Sequence, residues 1–240
     1  MNKEKKVVIT GVNGQIGSHF ARTLSTRGYT VYGVDLILDN IEPSKNIHLF
    51  QLDITSELEV SSFFDKVGSL YALINNAGIG VFTPFEMRTA DEFKKVMDVN
   101  LLGTFLMSQS AVQLMKTDGV GKIINIGSIY GLKSSDERIY GNSGRNNSEV
   151  YSATKAGVIN LTQYMAAHFA KYNIQINSLS PGGIFNSQTE DFVQNYIQKT
   201  PAGRMGSEDD LTDALCFLLA DTNNYTNGQN ITVDGGFTAW

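Results

Sequence analysis

Tyr151 and Lys155 stand four residues apart in the stretch EVYSATKAG. In a helix, residues at that spacing project from one face. A free phenol titrates near ~10 and is a poor base at neutral pH, but an ammonium beside it stabilises the phenolate. Such a pair can give or take one proton on a substrate. Taken alone, it is also the pattern of a solvated helix face. Ser128 follows the β-branched run KIINIG, and 22 mostly polar residues separate it from Tyr151. Ser128 and Tyr151 read as two ends that should meet around a long intervening loop.

A second constellation is TGVNGQIG, Thr10–Gly17, in which Gly11, Gly14 and Gly17 recur every third residue. Glycines after a strand let the backbone turn sharply and approach a pyrophosphate, whose charge is met by a helix N-terminus. An ordinary strand-to-helix turn would look much the same. Asp35 lies 18 residues past Gly17 at the end of an apolar run. A carboxylate there can accept from adenosine ribose hydroxyls and repels a 2′-phosphate. It could equally cap a turn. None of Asn13, Gly14 or Leu36 is cationic, so the pattern favours NAD over NADP.

These residues must be positioned by regular elements. The runs Val7–Thr10, Thr30–Asp35, His48–Asp53, Ala72–Ala77, Lys122–Gly127, Ile174–Ser180 and Gln229–Gly235 read as strands. Several are apolar nearly throughout, as in a sheet covered on both faces. Helical patterns fall at Gly14–Arg27, Ser56–Lys66, Asp91–Met115, Glu149–Lys171 and Glu208–Ala220, with Ser56 and Glu59 as a capping box. Alternating strands and helices imply an α/β fold: a Rossmann-type doubly wound parallel sheet of about seven strands with helices on both faces. No linker, low-complexity tract or internal repeat interrupts the chain, so residues 1–240 read as one domain.

Composition excludes several classes. The 240 residues carry a net charge of −5, with 42% hydrophobic and 18% charged residues. There is no global basic field for nucleic acid or an anionic membrane. Cys216 is the sole cysteine, in the apolar run ALCFLLA, and reads as a buried helix residue. The N-terminus MNKEKKVVITG has an apolar stretch too short for a signal peptide, and no segment approaches a membrane span. A cytoplasmic, reducing location is expected. His19, His48 and His168 lack ligand spacing, so no metal is expected.

Further segments complete a pattern: NNAG (Asn75–Gly78), VNLLG (Val99–Gly103), Ser128 with Tyr151 and Lys155, SPGGI (Ser180–Ile184) and VDGGF (Val233–Phe237). In this order, over essentially the whole chain, the sequence resembles the single-domain branch of the short-chain dehydrogenase/reductase family. That branch usually carries TGxxxGxG, which would place glycine at Gln15. Here the spacing is TGxxGxxG, more familiar in longer two-domain relatives, whose extra domain 240 residues cannot hold.

The resemblance implies a catalytic set of Asn100, Ser128, Tyr151 and Lys155. Tyr151 would move the proton and Lys155 would also bind the nicotinamide ribose. Ser128 would hydrogen-bond the substrate oxygen, and Asn100 would hold a water in a proton relay. It implies NAD (NAD+/NADH) bound by Gly11, Asn13, Gln15, Ile16, Gly17 and Asp35. Asp53 and Ile54 would lie by the adenine, and Asn76, Ala77 and Gly78 on the adenosine side. Pro181, Gly182 and Ile184 would flank the nicotinamide, with Asn186 where the family often has Thr. It also implies a homodimer or homotetramer formed through the helices around 91–115 and 149–171.

The stretch between Ser128 and Tyr151 is longer than in common members, giving an inserted substrate-side loop at about 130–149. Its Arg138 and Arg145 suit a phosphate or carboxylate and its amides suit sugar hydroxyls, though Asp136, Glu137 and Glu149 could neutralise the cations. The loop could also be plain surface elaboration. SIYG, DERIY, EVYSATKAG and SPGGIFN resemble a subgroup of flagellin-modification and nonulosonate-sugar biosynthesis dehydrogenases, which implies a small sugar-like substrate. Two other readings are a reductase of β-ketoacyl carrier protein and a catalytically idle NAD-binding sensor or scaffold. Asp35 and the net acidity oppose the first, and the intact set of four residues opposes the second.

Overall fold

The computed structural model describes residues 5–240; the first four residues of the basic N-terminus lie outside them. Seven strands form one parallel sheet in the order β3-β2-β1-β4-β5-β6-β7. They are β1 (Lys6–Thr10), β2 (Thr30–Asp35), β3 (Ile47–Gln51), β4 (Ala72–Asn75), β5 (Gly121–Ile126), β6 (Ile174–Pro181) and β7 (Asn230–Val233). Every residue of β5 and β6 is buried, as the near-continuous apolar runs require of strands covered on both faces.

The strand period of two divides the core into two layers. Val8, Leu73 and Ile123 point into one layer, against α2 (Glu57–Val67), α4 (Thr104–Asp118) and α5 (Glu149–Phe169). Val7, Ile9, Ile74 and Ile124 point into the other, against α1 (Gln15–Thr26) and α7 (Asp209–Leu219). The Ser56 hydroxyl accepts from the Glu59 N–H and caps α2.

Three details differ from the sequence reading. The single helix expected over Asp91–Met115 is α3 (Ala90–Met97), a π-helical segment Asp98–Gly103, and α4. A further helix, α6 (Glu190–Ile197), follows β6 and was not expected. Cys216 lies within α7 but is half-buried rather than buried, on a face where the Arg27 guanidinium donates to its sulfur at 2.9 Å.

The segment after Ser128 is anchored along its length. It forms two 3-10 turns, Ile129–Gly131 and Glu137–Tyr140. Ile139 is fully buried with Tyr196 and Met205, a placement that contributes about 1.5–3 kcal/mol. The Tyr140 ring meets Phe192 of α6 edge-on at 5.3 Å, Asp136 pairs with Lys199, and Asn195 donates to the Ile139 carbonyl. The insertion and α6 therefore form one packed unit. Among the described residues, no helix is long and apolar enough to cross a membrane, and no three or more His, Cys, Asp or Glu gather as metal ligands would.

Candidate active site

The strand order reverses between β1 and β4, and ligands of doubly wound sheets bind outside the carboxyl ends of the strands at such a point. The turn after β1 packs there against the loop after β4. The Thr10 hydroxyl accepts from the Asn76 and Ala77 N–H groups, both at 3.0 Å. The Asn76 amide donates to the Thr10 and Gly11 carbonyls, both at 3.0 Å. Gly11 has φ +67°, and a Cβ on it would lie 2.7 Å from the Ala77 Cα. A Cβ on Gly17 would lie 2.1 Å from the Gly11 oxygen. Gly14, the N-cap of α1, has an ordinary extended conformation. Two of the three spaced glycines are thus demanded by close approach. Gln15, where the family pattern has glycine, reaches across to donate to the Phe185 carbonyl at 2.6 Å.

A cavity of about 670 Å³ runs from this turn along the strand ends. Gly11, Asn13, Gln15 and Ile16 line one side, with Asp35, Asp53 and Ile54 at one end. Asn76, Ala77 and Gly78 form its floor, and Ser128, Tyr151, Lys155, Pro181, Gly182 and Ile184 its other end. Gly17 stands behind the lining and lets α1 approach the turn. The Asp35 carboxylate accepts from the Asn13 N–H at 2.9 Å and the Leu36 N–H at 2.8 Å. Asp39 accepts from the Asn13 side-chain amide at 2.8 Å. Asp53 takes the Thr55 N–H and hydroxyl and so caps its own turn. Exposed Leu36 and Ile37, with Lys95 and Val99, also line the cavity. The sequence reading assigned none of these four a lining role, because single side chains after a strand or on a helix carry no spacing signal.

This cavity fits a nicotinamide dinucleotide. Gly78 lines it without a side chain, and a Cβ there would sit 3.4 Å from the Lys155 ammonium and 3.5 Å from the Asn100 side-chain oxygen. No acidic residue stands in the first turn of α1, so the helix N-terminus is open to an anion.

Ser148 caps α5 by accepting from the Tyr151 N–H, which places Tyr151 in the first turn and Lys155 one turn later. Lys155 is 5% exposed; its ammonium donates to the Ile126 carbonyl at 2.7 Å and lies 5.7 Å from the centre of the Tyr151 ring. Burial lowers the Lys155 ammonium to about 8. Burial also pushes the Tyr151 phenol up, against the pull of the Ser128 hydroxyl, so Tyr151 holds its proton at neutral pH. Desolvation outweighs the Ser128 hydrogen bond, which the spacing of Tyr151 and Lys155 alone could not reveal.

Asn100 is 1% exposed and sits in the π-helical segment, where the widened turn aims a side chain that a continuous α-helix would direct elsewhere. Its carbonyl oxygen accepts from the Ile79 N–H at 2.8 Å, and its amide donates to the Ile79 carbonyl and to Thr154. The side chain is thus fully engaged in clamping the loop after β4.

A second cavity of about 480 Å³ opens beyond Ser128 and Tyr151. Phe82, Tyr130, Tyr140, Phe192 and Tyr196 give it an aromatic wall, and Ser143, Arg145, Asn147, Gln188 and Thr189 add polar groups. The aromatic residues come from four separated segments, which no local pattern could have grouped. Arg145 lines this cavity. Arg138 lines neither cavity; it is exposed and paired with Asp136 at 2.7 Å.

A family model described as enoyl-(acyl carrier protein) reductase matches residues 11–238. The crystal structure of a short-chain dehydrogenase from Leptospira borgpetersenii with bound NAD+ is 45% identical, with a TM-score of 0.93 over 98% of this chain and 93% of that one. A 2-dehydro-3-deoxy-D-gluconate 5-dehydrogenase of Formosa agariphila is 34% identical over 99% of this chain and 94% of its own length. A gluconate 5-dehydrogenase from Burkholderia cenocepacia, in complex with NADP and tartrate, is 30% identical with a TM-score of 0.86, covering 98% and 96% of the two chains.

Proposed function

The chain belongs to the short-chain dehydrogenase/reductase family and is an oxidoreductase of CH–OH groups; we propose that it prefers NAD and acts on a hydroxyl or ketone of a sugar-like substrate. One observation carries this reading: Ser128 and Tyr151 line both cavities. A coenzyme in the first and a substrate in the second would meet at these two hydroxyls.

When bound, the nicotinamide supplies the hydride acceptor or donor. Tyr151, protonated at neutral pH, gives its proton to the substrate oxygen in reduction; in oxidation it first releases that proton to solvent and then takes the one from the substrate hydroxyl. Ser128 hydrogen-bonds the same oxygen. Lys155, charged below about 8, holds the ribose of the nicotinamide end and eases loss of the phenol proton. Asn100 acts on the geometry, fixing Ile79 at the boundary of the two cavities. Asp35 at the end of β2 supports NAD, because a carboxylate lining the cavity there disfavours a 2′-phosphate.

Two sugar-acid dehydrogenases among the relatives and the polar side of the second cavity support a sugar-like substrate, for which an amino sugar or a nonulosonic acid is the finer choice. We propose a single domain and association through α4 and α5, which expose Phe105 and Tyr164, with Leu102 exposed in the π-helical segment just before α4. A carrier-protein reductase is the second reading, favoured by the description of the matching family model and opposed by the net charge of −5. The test is NADH absorbance with a panel of free, phosphorylated and nucleotide-linked amino sugars, nonulosonic acids, sugar acids and an acyl-thioester ketone, each with NAD and NADP coenzymes. Turnover confined to sugars, at least ten-fold faster with NAD, is expected. Turnover of the thioester alone, or preference for NADP, contradicts the proposal.

A further inference from the structure

The lining of the substrate cavity contains one formally charged side chain, Arg145, which among the described residues has no hydrogen-bonded or ionic partner. Arg145 stands alone among the acids and bases of the lining; the rest is aromatic, aliphatic, hydroxyl or amide. The carboxylates that the sequence set beside it are engaged elsewhere. Asp136 holds Arg138 and Lys199, and Glu149 holds Arg88 at 3.1 Å. Glu137 lines a different hollow on the outer side of the insertion.

The other arginines each donate from the guanidinium: Arg22 to Ser18, Arg27 to Cys216, Arg88 to Glu149, Arg138 to Asp136 and Arg204 to Asp210. Among the described residues, the Arg145 guanidinium makes no hydrogen bond or ion pair. Its central carbon lies 4.1 Å from the centre of the Phe82 ring, a cation–π contact that uses none of its N–H donors. Its charge acts on the Tyr140 phenol, another residue of the cavity wall.

We propose that Arg145 is the anion anchor of the substrate site, so that the substrate is a polyhydroxy compound bearing a carboxylate or phosphate away from the reacting carbon. This deepens the oxidoreductase reading and rests on it for the identity of the cavity. The shape of the fork suits either anion in a two-point contact. The aromatic wall covers the apolar faces of a carbon skeleton, and Asn147, Gln188 and Thr189 offer partners to its hydroxyls.

The test measures binding by calorimetry to the protein saturated with NADH. Gluconate and N-acetylneuraminate probe the carboxylate, sorbitol 6-phosphate the phosphate, and sorbitol is the neutral reference. At least one anion is expected to bind about 10–100-fold more tightly than sorbitol, as a charge-assisted arginine contact gives. Arg145→Met should abolish that preference and Arg145→Lys should keep part of it, with NADH binding unchanged in both as a check of folding. Whichever anion binds identifies the class. If no anion binds more tightly to wild type than to Arg145→Met, the anchor is wrong. The two readings fail separately: Arg145-dependent binding without turnover removes the chemistry and keeps the anchor, while turnover of neutral sugars unaffected by Arg145→Met does the reverse.

Discussion

Lys155 holds a cation where the fold alone has no use for one. Its pairing with Tyr151 was legible in the sequence as a spacing, but its burial was not, because burial depends on β5 and the turn after Ser128 closing over it. A fall from the ordinary lysine value of ~10.4 to about 8 is worth up to about 3 kcal/mol against folding. The sign follows from proton binding. Between about 8 and ~10.4 the unfolded chain binds the proton and the folded chain does not, so stability rises with pH across that window. Below about 8 the penalty is fully present. Lys155→Met should therefore raise the melting temperature of the coenzyme-free protein at pH 7 by about 2–6 °C, with the gain shrinking as pH climbs towards 10, and should weaken NADH binding. Thermal unfolding across pH checks this; a melting temperature that falls at pH 7 would show that the bond to the Ile126 carbonyl outweighs desolvation.

At the scale of elements, the seven strands were readable because a sheet covered on both faces leaves apolar runs bounded by glycines and acids. The π-helical segment was not, since one wide turn leaves the helical pattern of VMDVNLLG intact. Helix α6 was missed because its eight residues, EDFVQNYI, bury Tyr196 against the insertion rather than against the main core. Gly131 illustrates a constraint visible only in three dimensions. A Cβ there would lie 2.7 Å from the Lys155 carbonyl carbon and 2.9 Å from the Ala156 nitrogen, so the turn Ile129–Gly131 rests directly on the α5 backbone. Gly131→Ala must push α5 away from Ser128. The expected results are a loss of about 1–3 kcal/mol in denaturant unfolding and a fall in kcat of about 10–100-fold. An alanine variant with wild-type kcat would mean that this contact does not set the position of Tyr151.

At the scale of the molecule, one sheet edge gathers what the sequence scatters. The loop after β1 and the end of β2 shape one end of the first cavity, and β5, α5 and the loop after β6 shape the other. The residues between Ser128 and Tyr151 wander because they build the wall of the second cavity, tied to α6 by aromatic contacts and by Asp136. The first cavity was legible because the glycines and acids that line it sit at fixed places along the chain. The second cavity was not, because its wall is assembled from segments as far apart as Phe82 and Met205. The central claim is that proton transfer at Tyr151 is separable from coenzyme binding in the adjoining cavity. The most direct measurement compares wild type with Tyr151→Phe for NADH binding by fluorescence and for turnover of the best sugar in the panel. The account predicts NADH affinity within about three-fold and a loss of kcat of about 10²–10⁴-fold. Retained turnover in the phenylalanine variant would contradict it.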